Sequence, residues 1–409
     1  MNILFISTSD LHGGAAIAAF RLMNALQDEG MNVNMLVRDK RSSNGNVIEV
    51  GNKTINEWNF LWERGKIFMA NRFSRKNLFD ISIANTGVSV TELPAFQHAD
   101  IIHLHWINQG MLSVKEIGRI LASGKKAVWT MHDMWPFTGI CHHAENCTNY
   151  HRECGRCPYL VAPSRNDLSN KIFKQKQTTY SLGKITFVAC SNWLKDLAEK
   201  SPLTTAHTPV SIPNPIDTQH YRPIDKIGTR KKLQLPLDKK IVLFAAVKTS
   251  DKRKGSDYLI EASRLMKQHT DNVLFLIAGN NGKEIANQLA LPTQSMGFVA
   301  PENMPDVYNA ADVFVTPSLQ ENLPNTIMEA MACGTPCVGF CIGGIPEMID
   351  HLKTGYVAKY KNAADLAKGL FWTLFEADTE TLSANAREKV VKTYAQEIVS
   401  AQYKQIYAR

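Results

Sequence analysis

The sequence predicts an α/β protein built from two doubly wound parallel-sheet domains. Short apolar runs alternate with amphipathic stretches along most of the chain, the pattern of strand–helix–strand units. The runs fall into two sets, separated by a polar stretch that carries prolines. The 409 residues provide chain enough for two or three domains, each with its own core.

In the first set, strands are expected at Ile3–Ser7, Asn32–Val37, Ile101–His105, Ala127–Met131 and Thr186–Ala189. The helix after the first strand, Ala15–Glu29, places Ile17, Phe20, Leu22, Met23 and Leu26 broadly on one face, with Gly30 as its cap. Ahead of it, Gly13 and Gly14 let backbone come close to a ligand at a helix N-terminus, although a plain tight turn uses the same residues. The Gly-x-Gly-x-x-Gly spacing of a nicotinamide site is absent. His103 and His105 are expected to point one to each face of their sheet, and His132 lies just past a strand end.

Ser211-Ile-Pro-Asn-Pro-Ile-Asp217 holds two prolines and cannot be a central strand, so it reads as the interdomain connector. The N-terminal domain is therefore 1–210 and the C-terminal domain 211–385, with a helical tail over 386–409. The second set of strands is expected at Ile241–Val247, Val273–Ala278, Met296–Phe298, Val313–Thr316, Pro336–Gly339 and Gly355–Ala358.

Composition narrows the partners. The net charge is +8, and residues 1–190 hold 21 Lys and Arg against 15 Asp and Glu. A basic first half suits an anionic partner. No aromatic-interleaved basic stripe is present, so anionic lipid or a phosphate-bearing substrate fits better than nucleic acid. No window reaches the roughly 18 apolar residues of a spanning helix, and Met1–Ser7 lacks the basic start of a secretory signal. A cytoplasmic location is expected, with the eight cysteines unlinked by disulfides.

The most informative stretch is Pro317-Ser-Leu-Gln-Glu-Asn-Leu-Pro-Asn-Thr-Ile-Met-Glu-Ala-Met-Ala-Cys-Gly-Thr-Pro336. A strand runs into a turn-rich loop holding Glu321, and a helix is expected to start near Asn325-Thr326, with Glu329 near its first turn. A helix N-terminus suits a diphosphate, and a carboxylate in a dry cleft suits vicinal hydroxyls. After the strand at 241–247 comes Lys248-Thr-Ser-Asp-Lys-Arg-Lys-Gly255, a solvated basic turn or a clamp for a departing diphosphate.

The stretch resembles the Glu-x7-Glu signature of retaining family-4 glycosyltransferases and its Glu-Ala-Met-Ala-Cys-Gly-x-Pro continuation. That resemblance implies a GT-B fold: two Rossmann-like domains with a deep interdomain cleft, an N-terminal acceptor-binding domain, a C-terminal donor-binding domain and a last helix crossing back to the first. It implies a sugar transferred from a UDP- or GDP-linked donor to a glycan or lipid-linked acceptor, with no metal needed for catalysis. By the same resemblance Glu329 holds the ribose, Glu321 the sugar hydroxyls, and Lys254 the diphosphate. His132 contacts the transferred sugar, and Gly13 and Gly14 lie beside the diphosphate and acceptor. Ser191, Asn214, Asn322 and Leu323 fall at donor-binding positions, and Phe298 sits where the base is held, mostly through backbone. The family's Gly-Arg after the first strand of the second domain is missing; Arg253 or Lys248 is left to supply the second cation.

Two further segments stand out. Cys141, Cys147, Cys154 and Cys157 crowd the stretch 135–160, an insertion in the first domain that fits a structural Zn site or a set of reduced or partly disulfide-bonded thiols. Residues 53–79 combine Trp58, Phe60, Leu61, Trp62, Ile67, Phe68, Met69, Phe73, Leu78 and Phe79 with basic neighbours. They read either as an interfacial helix on an anionic membrane or as a helix packed on the domain.

These features point to a retaining glycosyltransferase of cell-surface polysaccharide biosynthesis, cytoplasmic or peripheral on the inner face of the membrane. A nucleotide-sugar epimerase of the same fold and an inactive sugar- or lipid-binding protein are the competing readings.

Overall fold

Thirteen strands form two all-parallel sheets in the computed structural model, which describes residues 1–408. The first sheet contains β1 (Asn2–Ser9), β2 (Asn32–Asp39), β3 (Val47–Glu49), β4 (Ile101–Leu104), β5 (Lys126–Met131), β6 (Ile185–Ala189) and β7 (Val210–Ser211), in the order β3-β2-β1-β4-β5-β6-β7. The second contains β8 (Lys240–Lys248), β9 (Val273–Asn280), β10 (Thr293–Gly297), β11 (Val313–Thr316), β12 (Cys337–Phe340) and β13 (Gly355–Ala358), in the order β10-β9-β8-β11-β12-β13. Each order runs outward in one direction and then reverses, as in a doubly wound α/β fold.

Alternation along the strands builds the core. Leu4, Ile6 and Trp129 face one side of the first sheet, where Trp135, Phe173, Tyr180 and Phe187 pack. Ile3, Phe5 and Val128 face the other, against Leu22, Met23 and Leu26 of the first helix. Two edge strands, β3 and β7, were not expected. With three and two residues they are too short for any periodicity to register. β10 starts three residues earlier than expected and ends one residue earlier, which leaves Phe298 outside it.

The chain divides into two compact units, one of Met1–Pro215 with the stretch from Val399, the other of Ile216–Ile398. The division falls after Pro215 rather than after 210, for a local reason. Val210–Ser211 extends the first sheet beside β6, while Ile216 donates its N–H to Tyr394 O at 2.9 Å within the second unit. The return to the first unit is likewise later than 386. The helix Thr379–Thr393 stays with the second unit, where Arg387 donates to Tyr221 O at 2.7 Å and Ala332 O at 2.8 Å. Only the helix Gln396–Ala408 joins the first unit, from Val399 onward. There Tyr403 hydroxyl meets Thr130 Oγ1 at 2.8 Å and Tyr407 hydroxyl meets His103 Nδ1 at 2.7 Å.

The helix Lys53–Ala70 is inverted. Its buried residues are Asn56, Asn59, Glu63, Arg64 and Ile67, four of them polar. Glu63 accepts the Ile83 and Ala84 N–H groups at 2.8 Å each and pairs with Arg64 at 3.0 Å, and Arg64 donates to Ile81 O at 3.0 Å. Trp58, Leu61, Trp62 and Met69 face solvent, with Phe73 and Phe79 beyond. No helix of the described residues is long and apolar enough to cross a membrane.

Candidate functional site

The strand order of the second unit reverses between β8 and β11, and the crevice at such a reversal, beyond the strand C-termini, is where open α/β sheets bind ligands. The loops after those two strands carry the candidate cation and acid. Lys254 Nζ lies 2.5 Å from Glu321 Oε1. Glu321 is nearly covered, its side chain 14% exposed, while Lys254 stays 36% exposed.

Backbone contacts of unusual closeness hold the two loops together. Gly255 has φ +70°, and a Cβ there would lie 1.8 Å from Pro317 O. Only glycine allows that approach. Leu319 N–H donates to Arg253 O at 2.7 Å, closing the same seam. On the other side, a Cβ at Gly343 would lie 1.8 Å from Glu321 O, and Gly344 N–H donates to Asn322 O at 2.7 Å. The Glu321 loop is thus clamped between the β8 and β12 loops, with Asn322 and Leu323 buried in it.

Glu329 sits in the second turn of the helix Asn325–Ala332, whose N-cap is Pro324 rather than Asn325 or Thr326. Proline suits the start of a helix because no donor is lost there. Glu329 is buried and accepts the Tyr308 hydroxyl at 2.8 Å on Oε2. Burial, reinforced by Glu329, pushes the Tyr308 phenol well up, so the hydroxyl stays protonated and donates. Tyr308 escaped the sequence reading because it lies on a separate helix, Met304–Ala310, with no spacing that links it to Glu329.

The remaining basic candidates separate. Arg253 forks onto Asp251, Nη2 to Oδ2 at 2.7 Å, so Lys254 rather than Arg253 stands beside Glu321. Lys248 is exposed at the end of β8, next to an irregularity in its pairing with β9. Phe298, just past β10, is 65% exposed.

The first unit repeats the layout. Its strand order reverses between β1 and β4. After β1, Gly13 takes φ +92° and caps the helix Gly14–Asp28 with no side chain in the way, and both glycines are exposed. His132 follows β5. Its Nε2 lies 3.1 Å from His105 Nδ1, and burial lowers its pKa to about 4, so it is neutral near pH 7. Burial opposes charge on the adjacent Asp133, yet His142 at 2.7 Å and the Trp135 N–H hold that carboxyl at about 2.

His103 and His105 do not point to opposite faces. Positions two apart on a strand share a face, and the two rings stack with centroids 4.3 Å apart. Ser191 caps the helix Asn192–Ala198 by accepting Leu194 N–H at 3.1 Å, and Asn214 is buried in the connector. Cys141, Cys147, Cys154 and Cys157 are free thiols lining one small pocket of the first unit.

Two doubly wound parallel-sheet units, each with its loops beyond the strand ends, make the GT-B architecture, which the solved glycosyltransferase HepE of Anabaena shares. The chain belongs to glycosyltransferase family 4: the family model described as Glycosyltransferase Family 4 matches residues 12–220, and the one described as Glycosyl transferases group 1 matches residues 225–389. A D-inositol 3-phosphate glycosyltransferase of Corynebacterium aurimucosum is 25% identical over 418 residues, covering 97% of this chain and 91% of the relative. An amylovoran biosynthesis glycosyltransferase of Erwinia amylovora is 31% identical over 192 residues, covering 44% and 47%. HepE of Anabaena, solved with UDP and glucose, superposes with a TM-score of 0.65 at 17% identity, covering 100% of this chain and 99% of that one.

Proposed function

We propose that this glycosyltransferase moves a hexose-type sugar from a UDP- or GDP-linked donor to a glycan or lipid-linked saccharide with retention of configuration, in cell-surface polysaccharide synthesis. The observation that carries the reading is the Lys254–Glu321 pair at the reversal of the second sheet. Without donor the two charges satisfy each other. A bound donor offers each a better partner: phosphate oxygens for Lys254 and sugar hydroxyls for Glu321. Positive charge beside the departing diphosphate stabilises the charge that develops as the glycosidic bond breaks. Glu329, held by Tyr308, is assigned the ribose diol, and Phe298 the neighbourhood of the base. In the first unit, Gly13, Gly14 and His132 are assigned to the sugar and acceptor. His132 acts there as a neutral hydrogen-bonding group, since burial keeps it uncharged. No metal is assigned to the transfer.

The likeness to an amylovoran enzyme supports a polymer-building pathway. The inverted helix supports an acceptor held at a membrane. Exposed Trp58, Leu61 and Trp62 would enter the headgroup layer of an anionic bilayer, and exposed Lys53, Lys66, Arg72, Arg75 and Lys76 would meet its phosphates.

A panel of UDP- and GDP-sugars, read by donor consumption and by NMR of the product anomer, tests the reading. Glu321→Gln should slow transfer on the order of a hundredfold with folding intact. An unchanged rate would remove Glu321 from the chemistry, an inverted product would end the retaining assignment, and isomerised donor without acceptor would make the protein an epimerase.

A further inference from the structure

The cysteines in the long loop after β5 are drawn together by tertiary structure. Cys141, Cys147, Cys154 and Cys157 line one small pocket with Tyr150 and Ser169. Three of the four are buried and Cys147 is half-buried. The turn Cys154-Gly155-Arg156-Cys157 is shaped by contacts that admit no ordinary residue at its second position. A Cβ at Gly155 would lie 2.5 Å from Arg165 O, and Arg156 is left-handed at φ +47°. Asp167 fixes the turn by accepting Cys157 N–H at 2.8 Å. The sulfurs are also supplied with donors. Gly139 N–H lies 3.1 Å from Cys154 Sγ, and the Tyr159 N–H and Ser169 hydroxyl reach Cys157.

Lys176, on the helix Leu168–Tyr180, is fully buried beside this loop, and its Nζ donates to Trp135 O at 2.6 Å and Thr138 O at 3.0 Å, which fastens the start of the loop to that helix. Four sulfurs around one small pocket are the number and type of ligand that a closed structural zinc site takes.

We propose that this pocket binds one zinc ion through the thiolates of Cys141, Cys147, Cys154 and Cys157, as a closed structural centre that fastens the 135–160 loop. As the side chains now stand, no three such donors among the described residues are close enough to hold a metal ion, so they must swing inward around it. Binding exchanges four S–H bonds for four S–Zn bonds and releases four protons to solvent. A full thiolate shell leaves no position for substrate, so the centre acts on stability and not on transfer.

Full-length protein purified with zinc present and without chelator should carry about one zinc per chain. A mercurial should release that zinc stoichiometrically, and cobalt substitution should give the intense visible bands of a tetrahedral all-sulfur site. Cys147→Ser, at the least buried ligand, should hold below about a tenth of an equivalent. Cys341→Ser, exposed and outside the pocket, and His151→Ala, which removes an imidazole next to Tyr150, should both keep full zinc. Three results would overturn the proposal: wild-type protein that folds without zinc and gives no cobalt spectrum, a mass four units low from two disulfides, or zinc lost with His151. Because the cobalt spectrum is read on unmodified protein, a variant that fails to fold does not shield the idea.

Discussion

At the residue scale, the site depends on contacts that need particular side chains at particular depths. Lys254 reaches Glu321 because Gly255 lets its loop touch Pro317, and Gly343 supports Glu321 from behind. Both acids and the lysine were legible as types and spacings. Their partners were not. Tyr308 and Gly343 lie 21 and 22 residues from Glu329 and Glu321 respectively, and no local pattern announces a contact over such a distance. The histidines teach the opposite lesson: period two alone places His103 and His105 on one face, so that error was correctable from the sequence. Tyr308→Phe removes one hydrogen bond from a buried carboxylate. It should cost about 1–3 kcal/mol and weaken donor binding, measured by thermal unfolding and by titration with a nucleotide-sugar. Unchanged stability and affinity would show that Glu329 does not depend on this hydroxyl.

At the element scale, long apolar strands were legible and short edge strands were not. β1, β5 and β8 carry enough alternating or continuous apolar residues to register, whereas β3 and β7 exist because a neighbouring strand offers them free backbone groups. The helix Lys53–Ala70 was legible as apolar and basic, but its orientation was not. A packed helix normally buries its apolar face. Here Glu63 and Arg64 are consumed by backbone and by each other, which turns Trp58 and Trp62 outward and takes Arg64 out of the basic set. The protein should therefore sediment with vesicles rich in anionic lipid at low salt and be released as salt rises. Trp58→Ser with Trp62→Ser should weaken that binding without changing transfer to a soluble acceptor. Absence of binding at low salt would leave the exposed face without this partner.

At the scale of the whole molecule, the final helix ties the C-terminus to the first sheet through His103, Thr130, Tyr403 and Tyr407. Burial lowers the pKa of His103, His105 and His132 below the ordinary histidine value. In the folded protein they stay neutral, while in the unfolded chain they take up protons below about pH 6.5. The unfolded state then binds more protons, so stability falls as pH drops from about 6.5 toward 5, above the range where carboxylates titrate. Melting followed from pH 7.5 to 5 should show this decline, with the first unit unfolding first. A melting temperature flat over that interval would mean that these rings exchange protons freely in the native state.

The sequence by itself determined the class of each domain and the family, and it singled out the acids and lysine of the candidate site, because periodicity and motif spacing are local properties that survive without a fold. Tertiary structure alone decided which lysine meets Glu321, what holds Glu329, where the chain passes from one unit to the other, and which face of the 53–70 helix looks outward. Each of those depends on groups far apart in the chain competing for the same buried space, and that competition is settled only when the sheets and loops are packed.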